Sequence, residues 1–361
     1  MNNSMYRYLK RERKELHCEV VTPMFLGNAR QEAEWRAEPF KGLLRYWWRI
    51  TRSNDGNWVS LLKEESSLFG AAGEVEKGSG KSLTRILITS NVQPSNESLP
   101  QLKRIDHPEC ERQNKEIDPL LYLANMGIMG QRGKVNHSYF PPNSNFRWVI
   151  DYPCEKEKDV SATLALIQAF GTIGARCRNG WGSFQVKPEI IRKQDAIDLL
   201  NGRTKEWTEG FRQDYPNCLG KDENRLLIWK TKNTTDKWEE AMRQLAEAYV
   251  GIRAKNVGGI PKLDADGADY PGERHLLGFP LTNHFAQKAQ NWGKWARHSS
   301  PLRFFIRKKQ EGLFIGFVLH LPHRFSDQMN PMPKSEQIKV WEKVHKKLDI
   351  LLKRATYEEC L

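Results

Sequence analysis

The order of β-prone and helix-prone stretches in this chain of 361 residues predicts an α+β protein built as two ferredoxin-like (RRM-like) domains, the second lacking its last strand. Three observations carry that expectation. An amphipathic helical stretch near residues 39–52 is flanked by β-prone runs, the strand, helix, strand, strand, helix order recurs in the second half, and the length exceeds that at which one core usually stops growing. Residues 1–192 are expected to form the first domain, with inserted loops, and 193–361 the second, with a C-terminal helix.

Leu16 to Phe25 opens the order as a β-prone stretch that Pro23 should end. The polar segment Leu26 to Glu38 is read as a loop between a strand and a helix, a common place for binding residues. Arg36 to Arg52 then reads as a helix with Pro39 in its first turn. At about 100° per residue, Phe40, Leu43, Leu44, Trp47, Ile50 and Thr51 share one arc, whereas Lys41, Arg45, Arg49 and Arg52 share another. Many basic helix faces are only solvated. Here no acidic residue lies between Lys41 and Arg52, and Trp48 borders the stripe, which suits a phosphate backbone and a stacked base.

Leu61 to Gly70 is expected to be a short helix and Leu83 to Thr89 a strand. The intervening Gly78-Ser79-Gly80-Lys81-Ser82 is not a phosphate-binding P-loop, because Val75 stands where the pattern needs glycine and a strand follows where a helix should. Asn91 to Asp118 is a polar excursion, and Gly130-Gln131-Arg132-Gly133 is a glycine pair of the KH type, a weak signal. Phe146 to Tyr152 is a strand and Val160 to Ile173 an apolar helix. That helix runs into the stretch Gly171 to Phe184, which holds four glycines in twelve residues (Gly171, Gly174, Gly180 and Gly182) with Arg176, Arg178 and Trp181 among them. Glycine lets backbone N–H groups approach an anion and the arginines add charge, although a helix end turning into the strand from Phe184 needs glycine equally. For Trp181, packing beside a strand competes with stacking on a base.

Lys193 to Gly220 reads as a polar junction. Leu226 to Thr231 resembles a new first strand, Lys237 to Ala254 a strong helix, Asn256 to Glu273 a glycine- and aspartate-rich loop, and Leu302–Arg307 with Leu313–Leu319 a hairpin. Ser335 to Arg354 is expected to be a lysine-rich amphipathic helix, leaving a sheet edge to be covered.

A formal charge of +13 favours a polyanionic partner, nucleic acid first. No run approaches the roughly 20 apolar residues of a membrane span, and Met1 to Leu16 lacks the apolar centre of a signal peptide, so a cytoplasmic protein without membrane contact is expected. The six cysteines have no close pairing, so neither a structural metal, a disulfide framework nor a cofactor is expected.

Thr22-Pro23-Met24-Phe25-Leu26-Gly27, Phe40-Lys41-Gly42-Leu43-Leu44-Arg45-Tyr46-Trp47-Trp48-Arg49, Ser67-Leu68-Phe69-Gly70 and Gly180-Trp181-Gly182-Ser183-Phe184 resemble the ordered landmarks of the CRISPR RAMP superfamily. The helix with paired aromatics between arginines is similar to the first RAMP subunit of the type III-B (Cmr) effector complex. The landmarks cover the first half; the second fits by its element order and by Ser299-Ser300-Pro301-Leu302. The resemblance implies a noncatalytic RNA-binding subunit in the head of a filament of paralogous RAMP subunits, near the 3′ end of the guide RNA (crRNA), with target RNA a second possible ligand. Lys41, Arg45, Trp48, Arg49, Arg52, Arg176, Arg178 and Trp181 are the expected RNA-binding residues, and no catalytic residue is expected. RAMP subunits that cut target RNA use a loop aspartate, whereas between Leu26 and Arg52 this chain has only Glu32, Glu34 and Glu38 as acids. The competing reading is a metal-independent RAMP endoribonuclease that processes precursor guides, for which His17 and the stretch His137-Ser138-Tyr139 are the candidates.

Overall fold

A computed structural model describes residues 10–52, 57–71, 80–109, 115–200, 203–254, 258–260, 271–279, 297–329 and 332–361. Most of the charged loop 74–82 and of the loop 256–273 lies outside the described residues.

The first strand, β1 (Arg11–Val20), starts five residues before the expected stretch. Leu16, Cys18 and Val20 point inward, and the charged half is held in the strand by its neighbour. Arg147 forks onto Glu15 at 2.5 and 2.6 Å and Arg11 pairs with Asp151, so cross-strand ion pairs replace apolar alternation there. Helix α1 (Ala37–Arg52) and helix α2 (Trp58–Phe69) follow, then β2 (Arg85–Thr89). A two-residue pairing of β3 (Ile105–Asp106) with β4 (Glu116–Ile117) lies in the excursion, and helix α3 (Pro119–Ile128), capped by Asp118, follows it. Then come β5 (Asn145–Pro153), α4 (Glu157–Phe170) and β6 (Phe184–Val186).

These strands form an antiparallel sheet in the order β2-β5-β1-β6. Helices α1 and α4 cover one face, where Phe40 meets Trp148 at 5.0 Å and Trp47 meets Phe170 at 5.7 Å. The polar junction has more structure than its composition suggests. It holds α5 (Lys193–Leu200), α6 (Trp207–Gly210) and a small sheet of β7 (Thr204–Glu206), β8 (Leu219–Asp222) and β9 (Arg225–Leu226).

The second half repeats the connectivity of the first: β10 (Ile228–Lys230), α7 (Trp238–Arg253), β11 (Leu302–Lys308), β12 (Phe314–His320), α8 (Lys334–Leu351) and β13 (Lys353–Arg354). The sheet order is β11-β12-β10-β13, again antiparallel, with the first strand of the set between the third and the last. The expected missing strand is therefore present. It is two residues long, pairs Lys353 and Arg354 with Lys230 and Trp229, and follows the helix so closely that helical periodicity hides it.

The halves share their interiors. Phe305 of β11 packs on Phe170 of α4, and Trp181 of the first half meets Trp238 of the second. Along the seam, Phe304 N–H donates to the Arg178 carbonyl at 2.8 Å, and the Gln185 side-chain amide both donates to and accepts from the Lys308 backbone at 2.9 and 3.0 Å. Arg307, wholly buried, donates to the carbonyls of Ala169 and Cys360 at 2.6 and 3.0 Å. No helix among the described residues is long and apolar enough to cross a membrane.

Five histidines among the described residues of the second half (His275, His298, His320, His323 and His345) are buried with aromatic neighbours. His320 stacks on Trp341 at 4.0 Å and faces His345 across a 2.9 Å N···N contact, while His298 stacks on Phe325 at 4.0 Å. Burial pushes His298 and His320 well down, His323 to about 4 and His345 to about 3. These rings are neutral in the fold, whereas in the unfolded chain they take up protons as pH falls below about 6.5. Their contribution to stability is complete above that value and is lost as pH falls toward about 4. The melting temperature is accordingly expected to decline steadily from pH 7 to pH 5, and a flat profile would contradict the neutral, buried assignment. Arg307→Met should lower stability in urea titrations by about 2–4 kcal/mol, because two buried carbonyls lose their donor.

Candidate nucleic-acid interface

The cationic stripe of α1 does not face solvent freely, because α2 folds back across it. Asn57 starts α2 by accepting from Ser60 N–H, and the helix delivers Glu64 and Glu65 to the stripe. Glu65, whose side chain is 3% exposed, receives Arg49 through two bonds of 2.5 and 2.8 Å and lies 3.6 Å from Arg45. Arg45 also donates to the carbonyls of Phe69 and Gly70 at the end of α2. Arg52 bridges Glu64 at 2.5 Å and Asp159 at 3.4 Å. Trp48 does not border a free stripe; it is 2% exposed, edge-on to Phe69 at 5.9 Å. Lys41 is half-buried and has no ion pair among the described residues. The expectation of an unneutralised stripe counted acids only within the helix, and the neutralising acids come from the next one.

The glycine-rich loop after α4 is held by backbone geometry. Gly174 and Gly182 have φ of +98° and +63°, and a Cβ on either would meet a carbonyl oxygen, of Phe25 at 2.6 Å and of Ile173 at 1.8 Å. Ala175 N–H donates to Phe25 and Gly182 N–H to Pro23, at 2.9 and 3.0 Å, so the loop is fastened to the exit of β1. Trp181 is 0% exposed between Phe25 and Trp238, which makes it a core residue and removes it from the reach of a base. Arg176 is exposed and Arg178 half-buried, and neither has an ion pair among the described residues.

Arg176 and Arg178 stand on one wall of a groove of about 1220 Å³ that runs between the two halves. The loop after β1, one side of α1, the glycine loop, the end of α7 and residues 277–279 and 297–303 line it. Six arginines (Arg36, Arg176, Arg178, Arg253, Arg297 and Arg303) belong to this lining, and among the described lining residues there is no aspartate or glutamate. Three of the six are fixed in place. Arg36 donates to the Gly27 carbonyl at 2.6 Å, Arg253 lies over the Tyr249 ring at 4.5 Å and donates to the Tyr122 hydroxyl at 3.2 Å, and Arg303 donates to Thr172 Oγ1 at 2.9 Å beneath the Tyr46 ring. The Nε atoms of these three are buried without an acceptor.

Sequence reasoning thus brought Arg176 and Arg178 to the groove and missed Arg36, Arg253, Arg297 and Arg303. Two of those missed were read as parts of regular elements, Arg253 in the last turn of a helix and Arg303 in a strand, where alternation explains them without a ligand. Of the candidate histidines, His137 lines the groove and His17 lies elsewhere, on the open face of the first sheet 3.5 Å from Glu15. Ser138 accepts from the Ala33 N–H at 2.7 Å. Among the described residues no three His, Cys, Asp or Glu side chains are grouped as a metal site. A concave lining of this charge, with no carboxylate among its described residues, attracts a polyanion and offers donors to its oxygens.

Residues 17–185 match the family model of the RAMP superfamily. The CRISPR system Cmr subunit Cmr1-1 of Pyrococcus furiosus is 30% identical over 200 residues, 54% of this chain and 52% of that protein, so the alignment spans about half of each. The crystal structure of Cmr1 from Pyrococcus furiosus in its apo form superposes with a TM-score of 0.50 at 18% identity, covering 96% of this chain and 98% of that one, a likeness of fold. A chain of the type III-B Cmr-beta assembly, in a cryo-EM structure with cognate target RNA and AMPPnP, aligns at a TM-score of 0.46 and 12% identity over 93% of this chain and 98% of that one.

Arg49→Ala is expected to lower stability by about 2–3 kcal/mol, less than for a fully buried pair because Arg49 is about a third exposed while Glu65 is not. Combining it with Glu65→Leu should recover most of the loss. Urea unfolding of the single and double variants measures this, and equal losses in both would sever the pairing from the stability.

Proposed function

With residues 17–185 matched to the RAMP superfamily, we propose that this chain is a noncatalytic RNA-binding subunit of a type III-B CRISPR (Cmr) effector complex. The observation that carries the reading is the groove, in which six arginines and no described carboxylate meet between the two halves. Similarity to a Cmr subunit over half of its length supports the assembly, and the shared strand order of the two larger sheets supports reading 1–192 and 193–361 as two ferredoxin-like units. In this proposal the ligand is the guide RNA, bound in the head of the complex near its 3′ end, other RAMP subunits are the protein partners, and the protein works in the cytoplasm.

The groove chemistry accounts for binding without reaction. Guanidinium groups stay protonated and act as donors to phosphate oxygens, so they hold a backbone and supply no general base. His137 is the one histidine at hand from the endoribonuclease reading, and it lines the groove without a carboxylate among the described lining residues to orient it.

Arg176→Ala and Arg178→Ala should each weaken binding to single-stranded RNA and reduce the slope of log affinity against log salt by about 0.7. Melting temperature should hold, since neither side chain has an ion pair among the described residues to lose. Unchanged slopes in both variants would remove the groove as the site. In a second assay, labelled precursor guide RNA incubated with the protein should stay intact, and cleavage abolished by His137→Ala would favour the endoribonuclease reading.

A further inference from the structure

Gly42 sits in the sixth position of a sixteen-residue helix, where glycine weakens the helix relative to alanine. Nothing among the described residues requires it there. A Cβ built on Gly42 meets no atom within 4 Å, its φ is not in the left-handed range, and the residue is exposed. The close-packed glycines differ, since at Gly171, Gly174 and Gly182 a Cβ would collide with backbone.

The position of Gly42 gives the missing side chain a purpose. Pro39, Gly42 and Tyr46 are spaced three and four apart, so they form one stripe, and all three line the arginine groove. This is the third face of α1, distinct from the core face around Trp47 and from the arginine face covered by α2. On either side of Gly42 the stripe is bulky, and across it lie Arg303 and the glycine loop with Arg176. The bare backbone at Gly42 is therefore a notch in the α1 wall of a groove whose arginines come from other elements.

We propose that Gly42 is a strand-positioning contact, the point at which the sugar–phosphate backbone of a single RNA strand presses directly on α1. The inference rests on the groove being the RNA site. A groove of about 1220 Å³ exceeds what a single small ligand needs and takes several nucleotides of a single strand. Close approach of a ligand backbone explains a helix-interior glycine that internal packing does not.

The test compares wild type, Gly42→Ala and Gly42→Leu for affinity toward a fluorescently labelled single-stranded uridine oligonucleotide, with thermal unfolding of each. Both substitutions should raise the melting temperature by about one to three degrees, because both residues favour helix over glycine. Affinity should fall several-fold for alanine and at least about tenfold for leucine, so that stability and binding move in opposite directions. Wild-type affinity in both variants overturns the inference, as does a lower melting temperature in both, which would show that packing requires the glycine. If Arg176→Ala weakens binding while the Gly42 variants bind normally, only the notch is lost and the groove stands. If wild type itself does not bind the oligonucleotide, the groove reading falls and this inference falls with it.

Discussion

Two arginines of one strand, β11, hold the halves of this protein together, Arg307 through the Ala169 carbonyl in the last turn of α4 and Arg303 through Thr172 just past its end. The last carbonyls of a helix have no partner within it and carry its negative partial charge, which suits a guanidinium. Arg307 is lowered to about 10 by burial, so it remains charged at neutral pH without a carboxylate beside it. Its charge is balanced by carbonyl dipoles from α4 and from Cys360, and by the Phe305 ring below it. The seam is thus polar in the middle and aromatic on both sides, which fixes β11 against β6 and, with it, the width of the groove above.

The arginines of α1 and those of the groove differ in the acceptors that hold them among the described residues. On α1, three arginines are spent on Glu64, Glu65 and Asp159, and they act as a clamp between α1, α2 and α4. In the groove, Arg303 is spent on a neutral hydroxyl and a carbonyl, and Arg36 on a carbonyl, so their charge persists. A neutral acceptor fixes a guanidinium without cancelling its field. A concave surface lined this way focuses potential on whatever lies between its walls.

The helices were legible because periodicity and caps are local: α1, α4, α7 and α8 lie within a few residues of where their apolar patterns place them. The hairpin of β11 and β12 was legible for the same reason. The charged start of β1, the two-residue β13 and the small sheet of the junction were not, since each depends on pairing with residues far along the chain. The arginine stripe failed on the same count. Glu65 lies sixteen residues from Arg49, beyond any helical spacing, and only the packing of α2 against α1 brings them together. Trp48 and Trp181 show the general tendency of indoles beside regular elements to pack inward, which outweighed their charged neighbours.

The glycine loop combines the two roles that its sequence left open. Its glycines take backbone conformations and contacts that other residues cannot, and this fixes the loop to the exit of β1. The two arginines carried by that rigid loop are not tied down by side-chain ion pairs among the described residues. The groove therefore has a floor of guanidinium groups already held in place, Arg36, Arg253 and Arg303, and a rim of arginines able to adjust. Groups held in advance lose little freedom on binding and set the register of a ligand, whereas exposed rim charges act mainly on the rate of encounter and its dependence on salt. The division follows from which arginines have acceptors in the fold, and it assigns different kinetic roles to residues that look alike in the sequence.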